Sequence, residues 1–182
     1  MKEEFDYKLF KKLLVSHYLK VIKEFAKTSD NKDVYVLTLV LNGYITLDWN
    51  TLSELHFKYE DAYKGQYEDR CSLEDIKFSI GDFAFEEMID WTEEMDQLMT
   101  KHQDFFSEVE DVSDDLYDYH NKQLIDCMID VLKELEPAFI HLNRTSDFVA
   151  YVSDFNDEDD LRYAKATVPS KLYQEVFGIE AG

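Results

Sequence analysis

Val34-Tyr35-Val36-Leu37-Thr38-Leu39-Val40-Leu41, then Asn42-Gly43, then Tyr44-Ile45-Thr46-Leu47-Asp48-Trp49 is the stretch on which the fold of this chain turns. A β-favouring run precedes an Asn-Gly pair, the strongest short signal for a type I′ turn, and the residues beyond it alternate as a returning strand. A two-residue loop pairs Leu41 with Tyr44, Val40 with Ile45, Thr38 with Leu47 and Val36 with Trp49. One face of the expected hairpin carries Val36, Thr38, Val40, Ile45, Leu47 and Trp49; the other carries Tyr35, Leu37, Leu39, Leu41 and Tyr44. Both faces are too apolar to leave wet, so the hairpin is expected to be central and covered on both sides.

Working outward, Phe5, Leu9, Leu13, His17 or Tyr18, Val21, Ile22 and Phe25 recur at the spacing of one helical face, predicting a helix over Glu3 to Lys27. Its lysines fall largely off that face. After the hairpin, Thr51-Leu52-Ser53-Glu54 has the form of a capping box, predicting a helix that ends at Gly65. Tyr67 to Asp75 reads as a polar connection, and Ile76, Phe78 and Ile80 alternate towards a Gly81-Asp82 turn, with a further helix starting near Phe83 or Phe85. Helices are expected from Glu86 to Phe106 and from Leu116 to Leu135, the second ended by Pro137, with a break over Val109 to Asp114. Phe148 to Ser153 reads as one more strand, followed by short helices over Leu161 to Ala166 and Pro169 to Phe177, with Gly178 as the stop. Together these predict an α+β fold in one domain spanning 1–182, with a small, mainly antiparallel sheet around the 34–49 hairpin and several amphipathic helices packed on it.

The chain has a formal net charge of −21, unevenly spread. Residues 1–33 hold eight lysines against six acids, so the remainder carries all of the negative excess. Such a field repels phosphate backbones and anionic membranes and attracts basic surfaces, which excludes nucleic acid as a favoured ligand and points to a basic protein or a cation. The 45% apolar content and the 13 Phe, 12 Tyr and 2 Trp supply a core, so the acidity does not imply disorder. No apolar run approaches a membrane span, and the lysine-interrupted N-terminal segment lacks the stretch of a signal peptide. Cys71 and Cys127 form no CxxC pair and read as reduced thiols, which fits a cytoplasmic protein. On that reading the Asn143-Arg144-Thr145 glycosylation sequon carries no meaning.

Motifs for catalysis and cofactors are weak. Asp154-Phe155-Asn156-Asp157-Glu158 opens like a calcium loop, but Asp159 stands where the loop needs glycine and Lys165 where it needs the bidentate glutamate. His17, His56, His102, His120 and His141 form no zinc spacing, and the five glycines form neither a GxSxG elbow nor a phosphate loop. The doublets Glu86-Glu87, Glu93-Glu94 and Asp114-Asp115 are expected by abundance among 40 acids. No catalytic, metal or cofactor residue is therefore expected.

Binding accounts for more of the pattern. Residues 86–118 contain thirteen acids and one lysine, interleaved with apolar residues at helical spacing. Aromatic anchors ringed by acids suit a basic partner. The expected contact surface comprises Trp91, Glu108, Glu110, Asp111, Asp114, Asp115, Tyr117, Asp118 and Tyr119, with Tyr59, Tyr63 and Tyr67 as further aromatic candidates.

The segments Tyr35 to Asp48 running into Asn50-Thr51, Ile76-Lys77-Phe78-Ser79-Ile80-Gly81-Asp82-Phe83 and Val149-Ala150-Tyr151-Val152-Ser153-Asp154 carry a resemblance. They resemble an uncharacterised bacterial family, known mainly as a domain of unknown function, some members of which are similar to immunity proteins encoded beside secreted polymorphic toxins. The resemblance implies a cytoplasmic inhibitor that occludes a basic toxin, such as a nuclease, and it implies no catalytic residues. A general interaction or regulatory module stands as the alternative, and a DNA mimic or an enzyme whose site is assembled only by folding as further readings.

Overall fold

The computed structural model describes residues 5–42, 44–65, 71–88, 92–110, 114–155, 157 and 161–178. The hairpin is the centre of a four-stranded sheet. Its strands are β1 (Val34–Leu41), β2 (Ile45–Thr51), β3 (Phe85–Met88) and β4 (Arg144–Asp154), in the order β3-β2-β1-β4. Helices α1 (Tyr7–Phe25), α4 (Glu93–Glu110) and α5 (Asp114–Leu135) pack on one side. On the other lie α2 (Leu52–Lys58), α3 (Leu73–Ile76) and α6 (Ser170–Phe177), with a 3-10 turn over Ala164–Ala166. The fold is α+β, and two of its three strand pairings are antiparallel.

The hairpin register differs by one residue from the sequence expectation. Leu41 pairs with Ile45, Leu39 with Leu47, Leu37 with Trp49 and Thr38 with Asp48, so the connection is one residue longer than a two-residue turn. The conformation at Gly43 lies outside the described residues. A one-residue slip exchanges partners across the whole ladder. The observed register sets Leu37, Leu39, Leu41, Ile45, Leu47 and Trp49 on one face, and Val36, Thr38, Val40, Thr46, Asp48 and Asn50 on the other. It segregates large apolar side chains from polar ones; the expected register would have set Thr38 against Leu47.

The apolar face forms the larger core with α1 and α5. In α1 the buried positions are Phe10, Leu14, Tyr18, Ile22 and Phe25, so the helix is turned slightly from the expected Leu9 and Leu13 face. Asp6 caps it by accepting from the Leu9 amide at 2.9 Å. From α5 come Leu124, Ile125, Met128, Val131, Leu132 and Leu135, and from α4 Met95 and Leu98. Lys11 ties α1 to α5 through Glu134 at 2.9 Å.

Between β2 and α4 the structure corrects the sequence expectation twice. The helix expected near Phe83 or Phe85 is instead strand β3, and the long acidic helix begins at Glu93 rather than Glu86. Phe85 stacks on Trp49 at 5.6 Å and meets Phe25 edge-on at 5.1 Å, and these aromatic contacts hold a four-residue edge strand to the sheet. Upstream of it, Ser72 and Asp75 form a reciprocal capping box that the expected polar connection had missed.

β4 runs parallel to β1, a pairing no hairpin connects. The two strands are joined where they begin, and the register then shifts by three residues between the Val34–Arg144 and Val36–Val149 pairs. Asn31, 4% exposed, accepts from the Asn143 amide at 2.8 Å through Oδ1, and donates through Nδ2 to the Ala26 and His141 carbonyls at 3.0 and 3.1 Å. Asn143 Nδ2 donates to the Asn31 carbonyl at 2.7 Å, and Val34 N to the Asn143 carbonyl at 3.0 Å. The amide of the apparent sequon thus ties the approach to β4 to the approach to β1. Asp33 adopts a left-handed φ of 48°, which Asp tolerates, and its carbonyl accepts from Leu52 N at 3.1 Å.

The second face of the sheet is polar at its centre although it is covered. Thr38 and Ser153 are fully buried and Asp48 is 6% exposed, while Thr38 Oγ1, Asp48 Oδ1 and Ser153 Oγ have no hydrogen-bond partner among the described residues. Burial pushes the Asp48 carboxyl up to about 6; Thr46 opposes the shift and Glu86, directly opposite on β3, adds to it. Nearer the other end of this face, Tyr35 OH donates to the Lys77 carbonyl at 2.6 Å and accepts from Asn50 Nδ2 at 3.1 Å.

Two predictions follow from these polar groups. Asn31→Ala strands the Asn143 amide and two carbonyls, so it lowers unfolding free energy by about 3 kcal/mol, read from urea denaturation. Asp48 holds its proton more tightly folded than unfolded, so its contribution costs stability progressively as pH rises from about 4 to about 6. Asp48→Asn therefore raises stability by about 2–3 kcal/mol at pH 7.5 and by nothing below pH 3.5, checked by melting the pair across pH.

Candidate functional site

One end of the sheet gathers three elements distant in sequence. Phe155 N donates to the Leu41 carbonyl at 2.9 Å, which holds the end of β4 against the hairpin turn. Asn121 Nδ2 lies 3.5 Å from Asp154 Oδ2, which brings the start of α5 to the same place. Tyr7 OH donates to the His120 carbonyl at 3.2 Å, and the Cys127 thiol to the Tyr7 carbonyl at 3.6 Å, adding the start of α1.

This end displays apolar surface. Tyr44, Tyr119 and Phe155 are 39%, 56% and 55% exposed, and they are three of the six most exposed large hydrophobic residues among those described. The Tyr119 ring rests edge-on against His120 at 5.1 Å. Folding places large aromatic side chains outward when the helical or strand register leaves no core position for them, as at Tyr119, five residues before Leu124, the first buried position of α5 among the described side chains. Asp115 and Asp118 are exposed on the same turns of α5. Further along the helix the acids are neutralised: Asp126 pairs with Lys122 at 2.6 Å and Glu134 with Lys11 at 2.9 Å. At the end of β4, Asp157 pairs with Arg162 at 3.1 Å.

Of the expected contact residues, Asp115, Asp118 and Tyr119 stand together on the exposed face of α5's first turns. Trp91, Asp111 and Tyr67 lie outside the described residues. Glu108 and Glu110 fall in α4, and Asp114 and Tyr117 in α5, with their side chains outside the described set. Tyr63 is half-buried and donates to the Asp82 carboxylate at 2.8 Å, so it belongs to the packing under α2 rather than to this end. Tyr44 and Phe155 are exposed at the same end and were not among the expected contact residues. The exposed Asn-Gly turn and the break after Asp154 were the available signals, because side chains beside a turn seldom find a core position.

Two titratable groups beneath this end are held neutral. Burial, with Cys127 and Tyr119 adding to it, pushes the Tyr7 phenol up to about 12, so it is a neutral donor. Burial likewise pushes the Cys127 thiol up to about 11, which leaves no thiolate at neutral pH. Glu86 and Glu87 are consecutive residues of β3 and face opposite sides of it, so they do not converge as an acid–base pair. Among the described residues no three His, Cys, Asp or Glu side chains are placed to hold a metal ion. No helix among them is long and apolar enough to cross a membrane.

No family model, no curated protein and no solved structure matches this chain.

Proposed function

We propose that this chain is a protein-binding module that receives a basic partner on the acidic, aromatic end of its sheet. The observation that carries the reading is the exposure of Tyr44, Tyr119 and Phe155 at one end, beside Asp115 and Asp118, in a chain of net charge −21. Aromatic side chains supply contact area at low entropic cost, and the surrounding field accelerates encounter with a basic surface and discriminates against acidic ones. A nucleic acid gains nothing from such a surface.

The narrower reading is an immunity-type inhibitor, acting in the cytoplasm, that covers the working surface of a basic toxin. It is supported by the resemblance of the Tyr35 to Asp48, Ile76 to Phe83 and Val149 to Asp154 segments together with the charge. Occlusion asks for no catalytic group in the inhibitor. A general regulatory module with the same surface is the alternative, and a toxin target separates the two.

The test is a pull-down with the tagged chain, co-expressed with its neighbouring open reading frames and washed at low and then high salt. One basic protein is recovered in equal amount, and its association slows as salt rises. Tyr119→Ala and Phe155→Ala each weaken the complex by about 1–3 kcal/mol, and Asp115→Lys with Asp118→Lys slows association at least tenfold. Because these side chains are exposed, all three variants melt within a few degrees of the parent. Unchanged binding in them removes this end of the sheet from the reading, and suppression of the partner's toxicity selects the inhibitor over the general module.

A further inference from the structure

Away from the acidic end, a cavity of about 230 Å³ opens beside β4, which is an edge strand of the sheet. Its walls are apolar: Leu132 and Phe139 from the end of α5 and the 3-10 turn after it, Phe148 from β4, and Val168 and Leu172 from the approach to α6 and its first turn. An apolar cavity of roughly 150 Å³ accepts benzene, so this one has room for an aromatic ring with a short arm.

The rim has a different character. Lys133 and Arg144 line it, and neither is ion-paired to a described residue. Arg144 stands over the Phe148 ring, its guanidinium carbon 5.1 Å from the centroid, which keeps the charge at the cavity mouth. Glu136 also lines the rim and pairs with neither cation. The first turn of α6, which no side chain caps, borders the same opening and adds the partial positive charge of a helix start. In a chain with 19 Lys and Arg against 40 acids, two cations against one acid, Glu136, line this apolar cavity.

An extended peptide added to the β4 edge is the obvious competing occupant. It is disfavoured because Thr167 Oγ1 donates to the Ala150 carbonyl at 2.9 Å, engaging a backbone acceptor of the edge strand beside the cavity. The apolar walls and charged rim suit a small molecule instead.

We propose that this cavity binds a small monocarboxylate with an apolar body, its ring or chain among Leu132, Phe139, Phe148 and Leu172 and its carboxylate at the rim with Lys133 and Arg144. The proposal is independent of the acidic end and of any partner there.

The experiment titrates the full chain with 4-phenylbutyrate, 4-phenylbutanol and 4-phenylbutylamine, read by calorimetry and by amide chemical shifts. The carboxylate saturates the chain and moves the amides of Phe148, Ala150, Val168 and Leu172, and the alcohol binds about tenfold more weakly. Arg144→Gln and Lys133→Gln each weaken the carboxylate by about three- to tenfold without weakening the alcohol. Leu172→Trp, which fills the cavity from an incompletely buried position, abolishes binding of both while circular dichroism stays that of the parent. Equal affinity for alcohol and carboxylate overturns the assignment of an anion. Shifts confined to other parts of the chain, binding that survives Leu172→Trp in the folded variant, or no saturation by any of the three at about 10 mM overturns the site itself.

Discussion

The parallel contact between β1 and β4 is the constraint on which the rest of this structure depends. Antiparallel neighbours inherit their register from a turn, but Asn31 and Asn143 are 112 residues apart, and closing such a distance is entropically costly without specific contacts at the join. The reciprocal asparagine pair supplies them. It sets Val34 against Arg144; the register then shifts by three residues before Val36 pairs with Val149, and from there β4 runs along β1 to the pairing of Leu41 with Asp154. The edge beside the apolar cavity and the meeting of Phe155 with the hairpin turn both lie along that parallel pairing.

Alignment also concentrates a tension. Segregating leucines from polar residues gives α1 and α5 a continuous apolar face, and it leaves Thr38, Thr46, Asp48 and Ser153 together on the opposite face under cover. Unpaired polar atoms in such a place cost stability, and a carboxyl there keeps its proton well above the usual carboxylate range. The core side supplies the compensating stability through Tyr18, whose hydroxyl reaches the Ile45 carbonyl at 3.0 Å, and through the Phe25, Trp49 and Phe85 ring cluster.

Charge in this molecule is sorted by position. Where α1 crosses α5 the acids are matched by lysines, as Lys11 is with Glu134. At the start of α5 exposed acids lie beside exposed aromatics, and at the far side of the sheet two cations border an apolar cavity. A large net charge alone says only which partners are attracted at a distance; the local arrangement says where each can be met.

Several elements could be read from the chain because their signals are local. The helical periodicity of α1 and α5, the stops at Gly65 and Gly178, both with positive φ, and the β-rich runs around Asn42 act over a few residues, where propensity and sterics decide. The exposure of Asp115, Asp118 and Tyr119 on one helix start was legible for the same reason. The one-residue hairpin register, the strand at Phe85–Met88, the parallel pairing of β4 and the company of Tyr44 and Phe155 were not. Each is settled by what lies across the fold: Trp49 and Phe25 waiting for Phe85, a leucine face waiting for α1, Asn31 waiting for Asn143. Local sequence thus determined which segments are helix or strand and the sign of the surface field, and tertiary packing alone decided register, edge and cavity, because those depend on burial and hydrogen-bond satisfaction between residues that the chain keeps far apart.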